Sequence, residues 1–524
     1  MFSSGSQVFT TAFCFVFLGW FLIHRRVTNP SRHKLPPGPK PLPLVGNLFD
    51  MPRNEEWVTF SRWRELYGDV VYVRIMGRPI VILTSLEAIT DLLEKRYNIY
   101  SDRPVFPLVD LIGHQWNFGF KQYGKEWLSL RRIFSSKYST QNALRSYHDS
   151  QRASVACLLQ NLLRDPCNFV DHITLRSNQL IIDVTYGISI TSSKDPLIQV
   201  AEAVMSTVSV ALSPVMWIVN PFAISQYLTS LFGGNDAIFR VQKWRTDLEQ
   251  LRNVPFNETK ASLASGCAKP SFTASLLQEL GSNYDHESEL MIRDCAAVAF
   301  GAASETTIAS AMSFLLAMAL NLHVQKFAQE EIDRVIGSDR LPDYADKPDL
   351  PYITAVMKET IRFHAPAPSG KFPSCRCPHH SLRVRFLTGV PHLLRQDDEY
   401  KGFHLPAGSI VIGNIEGLLH DPSIYPDPYE FKPERYLHSG EVDPARIAFG
   451  FGRRVCPGKS LAEDTLWLMV AQFLAVYSIS PVDEKSPPPI AFIPGAISRP
   501  VPFPCVIRPR SDSAKNLIDT AGHN

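Results

Sequence analysis

Charge of one sign is what this chain has least of. Lys and Arg number 53 against 51 Asp and Glu, for a net charge of +2. That balance excludes nucleic-acid binding through bulk charge. Cysteine is scarce as well: nine in 524 residues, odd in number and irregular in spacing. This excludes a disulfide scaffold and reads as free thiols in a reducing compartment, one of which can still be a ligand. No internal repeat is present, so solenoid and array architectures fall away. Long apolar runs are few. Residues 8–23 (VFTTAFCFVFLGWFLI) form one, preceded by MFSSGSQ without side-chain charge and followed by His24, Arg25 and Arg26. Its length is near the lower limit for a membrane span. Basic residues that follow the run fit an anchor whose bulk stays cytosolic, whereas a cleaved signal has them in front. An atypical secretory signal is the other reading. A second run, residues 295–320, carries charge only at Glu305. A second span is one reading of it; a core helix interrupted by Ala302-Ala303-Ser304-Glu305-Thr306-Thr307 fits better.

What is present is a chain long enough for a large core, with 45% hydrophobic and 20% charged residues and 40 prolines. The segment LPPGPKPLP (residues 35–43) denies helix and predicts a stiff, extended spacer behind the anchor. VVYVRIMG and RPIVILTS alternate about Gly77-Arg78-Pro79 and predict a hairpin. Helical periodicity dominates from about Ser85 to Phe363, short strands follow from His392, and a last helix is expected from near Gly458 to about Val476. The expected organisation is a short lumenal start (1–7), a transmembrane anchor (8–24), a basic and proline-rich hinge (25–47), a mainly α catalytic domain with a small β part (48–510), and a polar, disordered tail (511–524).

The strongest chemical signal is Phe449-Gly450-Phe451-Gly452-Arg453-Arg454-Val455-Cys456-Pro457-Gly458. It puts a cysteine after a glycine-rich loop and before a helix. A thiolate there is stabilised by the helix dipole and by free backbone N–H groups. Gly452 and Gly458 would allow tight turns and the close approach of a flat cofactor. A buried, inert cysteine is the plainer alternative.

This segment resembles the haem-binding signature of the cytochrome P450 family. Further family motifs appear in the family's order, from the proline-rich hinge to the last helix. The resemblance implies the cytochrome P450 fold and haem b, with Cys456 as axial iron ligand; thiolate donation favours O–O cleavage. It implies a cofactor-binding set of Trp127, Arg131, His392, Phe449, Arg454, Cys456 and Gly458. Trp127-Leu128-Ser129-Leu130-Arg131 is similar to the family's Trp-x-x-x-Arg helix, and Trp127, Arg131, Arg454 and His392 would meet the propionates. Lys358-Glu359-Thr360-Ile361-Arg362 resembles the Glu-x-x-Arg helix. Phe431-Lys432-Pro433-Glu434-Arg435-Tyr436 resembles the meander whose Arg435 joins Glu359 and Arg362 in a structural triad. The acid–hydroxyl pair Glu305-Thr306 resembles the family's oxygen-activation motif and would relay protons. Ala303 stands where members usually carry glycine.

The resemblance also implies partners. These are NADPH–cytochrome P450 reductase, through which NADPH would act indirectly, and cytochrome b5, with membrane lipid and a lipophilic small-molecule substrate. Lys121, Lys125, Arg132, Arg453 and Lys459 would face the reductase or form an ordinary solvated face. The implied location is the endoplasmic reticulum membrane, single-pass, with the catalytic domain cytosolic; the sequon Asn257-Glu258-Thr259 would then stay unmodified. The expected activity is monooxygenation of a terpenoid, steroid or polycyclic aromatic, as in fungal microsomal members of secondary metabolism or in xenobiotic oxidation. An oxygen-independent isomerase or dehydratase of the same fold, and a haem protein without turnover, are the alternatives. Residues 107–118, 205–222 and 365–369 would line the pocket.

One stretch departs from the family pattern. Residues 371–389 (KFPSCRCPHHSLRVRFLTG) intervene where the family passes quickly from the Glu-x-x-Arg helix to Pro391-His392. Cys375, Cys377, His379 and His380 make a poor zinc site without a second pair. The segment reads instead as a translated, retained intron. Gly370-Lys371-Phe372 is compatible with GGTAAGTTT and Thr388-Gly389 with ACAGGT, so both cuts fall after the first base of a glycine codon. Removal keeps the frame and one glycine. A genuine surface loop is the other reading.

Overall fold

The computed structural model describes Gly19 and residues 34–52, 56–211, 234–281, 285–367, 389–438, 440–493 and 497–521. The anchor and all but Gly389 of the 371–389 segment lie outside the described residues, apart from the isolated Gly19. Helices of eight residues or more are α1 (Glu56–Tyr67), α2 (Lys125–Tyr138), α3 (His148–Arg164), α4 (Phe169–Tyr186), α5 (Pro196–Ala211), α6 (Gly234–Ala264), α7 (Phe272–Leu280), α8 (His286–Leu320), α9 (Leu322–Val335), α10 (Pro351–Phe363), α11 (Lys459–Val476) and α12 (Asp512–Thr520).

The hairpin forms as its alternation predicts. Strands β1 (Val70–Ile75) and β2 (Arg78–Leu83) pair from Val70↔Leu83 to Ile75↔Arg78. The turn is Met76-Gly77, at φ 49° and 84°, and Arg78 and Pro79 already belong to β2. Two successive positive φ values are what a tight two-residue hairpin needs. Strands β3 (His392–Leu393), β4 (Asp398–Tyr400), β5 (Phe403–Leu405) and β6 (Ile410–Gly413) follow. The main sheet has the order β1-β2-β6-β3, with β6 parallel to β2 and His392 opposite Val411. Near the C-terminus, β7 (Tyr477–Pro481) pairs with β10 (Cys505–Pro509), and β8 (Phe492–Ile493) with β9 (Arg499–Pro500).

The proline-rich stretch is not a free spacer over its described part. The Tyr72 N–H donates to Pro37 O at 3.0 Å, and Asn47 N–H to Arg74 O at 2.7 Å. An open β1 edge carries unpaired backbone groups, and this segment covers them. A Cβ on Gly38 would stand 2.0 Å from Tyr72 O, so that approach requires glycine.

Helix α8 settles how the second apolar run is used. Asp285 caps it, accepting from Ser288 N–H at 2.7 Å. Most of its later turns are buried, so it is a core helix. Its first half joins the cluster of Phe134, Leu251, Phe272 and Phe300. Its second half, from Ile308, joins the cluster of Leu315, Ile353, Trp467 and Phe473. Residues 302–307 fall between these two cores.

Over its described residues, 511–521, the tail is ordered rather than disordered. Ser511 caps α12 by accepting from Ala514 N–H at 3.1 Å, and Ala514 and Ile518 are buried against α3 and α11. Four-residue spacing of these apolar side chains gives the helix a face to bury. The sequon also proves uninformative. Thr259 is buried in α6, its hydroxyl donating to Tyr186 O or Pro255 O, so a bare Asn257 does not report topology.

Candidate active site

Cys456 sits at the end of the glycine-rich loop, one turn before α11. Its N–H donates to Phe449 O at 2.8 Å. The loop is shaped by Gly452, at φ 58°, where a Cβ would stand 2.1 Å from Leu93 O. A Cβ on Gly413 would meet the Phe451 ring at 3.0 Å, so the end of β6 presses on the loop. Gly458 has an ordinary φ, and its Cβ position lies 4.0 Å from the Cys456 sulfur. Its smallness, rather than a left-handed backbone, leaves room beside the sulfur.

Cys456 is solvent-accessible although protein encloses the loop. Burial pushes its thiol up, while the Gly458 and Lys459 N–H groups and the Arg131 and Lys459 charges pull it down. Burial outweighs them, so the thiol of the protein alone is held up; the N–H groups and cations would favour the thiolate once a metal takes its proton's place.

Beside it lies an excess of buried positive charge. Arg454 stands over the Trp127 ring at 4.5 Å, and Arg131 at 6.0 Å. The Arg454 guanidinium donates to the carbonyls of Ser101, Phe118 and Lys121. Burial pulls its pKa down to about 10. Arg131 is half-buried, with its pKa lowered by burial and raised by Cys456, and no carboxylate pairs with it among the described residues. Arg103, which no motif signals, is buried too; it donates to Gly119 O, Val390 O and Pro391 O. Burial and Arg454 push its pKa well down. The nearby carboxylate, Asp102, is already held bidentately by Arg395. Two further anionic groups would compensate this cluster, and the two propionates of haem are such groups.

His392, expected at the propionates, lies near Arg103 and Arg454. It is buried in β3 with Nδ1 2.8 Å from Tyr100 O, and burial and Arg103 push its pKa to about 3. Its Nδ1–H donates to that carbonyl, so the neutral ring presents a lone pair at Nε2. It donates to a carboxylate only if protonated.

On α8, residues 302–307 bare Ala302 and half-bare Ala303, Glu305, Thr306 and Thr307, within a helix otherwise buried on both sides. Ser304 turns inward, its hydroxyl donating to Asn178 Oδ1 at 2.7 Å. The Thr306 hydroxyl donates back to Ala302 O at 2.9 Å. The helix runs unbroken through Ala303.

The structure brings the three triad residues together. Arg362 donates from Nε and Nη2 to the two Glu359 oxygens at 2.8 Å each, and from Nη1 to Leu419 O and Pro428 O. Arg435 Nε lies 3.3 Å from Glu359 Oε2, and Lys432 N–H donates to Glu359 Oε1. Burial opposes the Arg362 charge, and the Glu359 carboxylate outweighs it. The triad ties α10 to the meander just ahead of the cysteine loop. Of the basic residues expected at a docking face, Lys125, Arg132 and Arg453 are exposed, while Lys121 pairs with Glu126.

An accessible cysteine at a helix start beside buried cations, together with a bared acid–hydroxyl stretch on α8, fits a haem-thiolate protein. The comparisons agree. The family model Cytochrome P450 matches residues 36–374 and 376–504. The chain is 36% identical to cytochrome P450 monooxygenase 208 of Postia placenta over 96% of this chain and 95% of that one. It is 37% identical to cytochrome P450 monooxygenase COX2 of Coprinopsis cinerea over 93% and 92%, and 34% identical to cytochrome P450 monooxygenase ppsD of Aspergillus oryzae over 98% and 94%. This chain belongs to the cytochrome P450 family; it is a monooxygenase, and haem iron is its cofactor.

Proposed function

We propose that the chain inserts one oxygen atom from O2 into a lipophilic small molecule of terpenoid, steroid or polycyclic aromatic type, in secondary metabolism or xenobiotic oxidation. NADPH supplies electrons through a membrane-bound reductase at the cytosolic face of the endoplasmic reticulum. The observation that carries this reading is the bared Ala302–Thr307 stretch between two buried cores. Ala303 packs against the cluster that contains Trp116, Phe118, Leu251 and Phe300, which favours an apolar substrate.

Cys456, with Arg131, Arg454 and Arg103, would hold haem, which would supply the oxygen chemistry. The chain's own residues do the rest. The Gly458 and Lys459 N–H groups and Arg131 offset part of the burial that raises the Cys456 thiol, and iron would complete its conversion to thiolate. Thr306 holds a hydroxyl on α8, and Glu305 beside it relays protons. The apolar walls exclude water.

Co-expression with a fungal reductase under 18O2, fed a panel of terpenoids, steroids and polycyclic aromatics, tests this. One labelled atom per product, dependent on NADPH, is expected. A haem-loaded protein that consumes no NADPH across the panel overturns the reading.

A further inference from the structure

Glu305 does not stand alone at the cleft. Arg499 Nη1 lies 3.8 Å from Glu305 Oε2, with 31% and 15% of the two side chains exposed. Arg499 arrives from the β8–β9 hairpin, in which it pairs with Ile493. The hairpin is pinned beside it: the buried Ser498 donates from its N–H to Pro366 O at 2.8 Å, and its hydroxyl lies 3.1 Å from His364 Nε2. The guanidinium is therefore delivered to α8 by a fixed element rather than by a wandering loop. Helix α5 packs on α8, and its exposed Glu202 has a pKa raised by burial and by Glu305 and lowered by Arg499.

We propose that Arg499 is a positioning residue for proton delivery, holding the Glu305 carboxylate at the α8 wall. The step moves protons only: water on the outer side supplies the proton that Glu305 passes to Thr306. No electron pair leaves the chain. The proposal rests on the monooxygenase reading for its catalytic meaning, though the Arg499–Glu305 coupling stands without it.

The test uses full-length holoprotein with reductase. R499Q is expected to keep haem and the CO band while product per NADPH falls about tenfold and peroxide rises. R499K restores most of the yield. Melting temperatures of R499Q, E305Q and the double variant should be non-additive. Unchanged yield and peroxide in R499Q overturn the proposal. So does a joint loss of haem in R499Q and R499K, which marks a purely structural role. If the wild type yields no NADPH-driven product, the monooxygenase reading fails, and the melting cycle still decides whether Arg499 and Glu305 are coupled.

Discussion

Ala367 and Gly389 are neighbours in space: a Cβ on Gly389 would stand 3.7 Å from Ala367 O, although residues 368–388 lie between them in the chain. The same Cβ would press on Ile415 Cδ1 at 3.3 Å, so glycine suits the position before Val390. Removing residues 371–389 places Gly370 there and leaves Pro368 and Ser369 to bridge the gap. Three peptide steps span up to about 11 Å, ample for that distance. The family match also breaks at residue 375, inside this stretch.

We propose on these grounds that the segment is a retained intron. The chain lacking 371–389 should fold to the same site, with a loop-closure gain of about 2 kcal/mol, a higher melting temperature and more haem per protein. Transcript sequencing and haem titration of both forms check it. A dominant message retaining these codons, with a haem-loaded active product, counts against it.

Cys456→Ala should abolish the thiolate-type CO band. Arg131→Leu should weaken haem retention without removing it, because Arg454 and Arg103 remain beside Trp127 and Val390. Pyridine haemochrome content and CO difference spectra measure both. A normal CO band in Cys456→Ala would refute the assignment of the ligand.

What the sequence revealed was local. The β1–β2 hairpin and the bounds of α11 follow from alternation and period within a single segment. The Cys456 loop is also read within ten residues. What stayed hidden depends on contacts between distant segments. Arg103 follows Asp102 and precedes a proline with no period to mark it, and its carbonyl partners, Val390 and Pro391, belong to another part of the chain. Arg499 likewise meets Glu305 only once the β8–β9 hairpin docks on α8. The His392 expectation took its direction from motif position, whereas Tyr100 O and Arg103 decide which nitrogen carries the proton. The α12 helix was legible in principle: Ser511, three residues ahead of Ala514, is an N-cap signal outweighed by the polar composition.

Arg362→Met should be severely destabilising. It leaves Glu359 buried without its bidentate partner and strips Leu419 O and Pro428 O of donors. Breaking a buried pair in this way costs about 3–5 kcal/mol. Glu359→Gln should cost less, since its remaining oxygen can still accept from Arg362 or Lys432 N–H. Urea midpoints of the three proteins, with haem content followed in parallel, give the order wild type, Glu359→Gln, Arg362→Met. Equal midpoints would remove the triad from the stability argument.

His114 makes the chain sensitive to acid. Both ring nitrogens are buried without hydrogen-bond partners among the described residues, and the ring stacks on Trp116 at 5.6 Å. Burial pushes its pKa down to about 4, so the folded protein keeps it neutral. The unfolded chain protonates near pH 6.5. Because the unfolded state binds the proton first, stability is fully present above about pH 6.5 and is lost as pH falls toward about 4. By pH 5 this single group should remove about 2 kcal/mol. His114→Phe keeps the ring and removes both the titration and the unpaired nitrogens. It should therefore be at least as stable as wild type at pH 7.5, and its denaturation midpoint should fall by correspondingly less between pH 7.5 and 5. Equal acid losses in the two proteins would show that His114 is solvated or paired in solution.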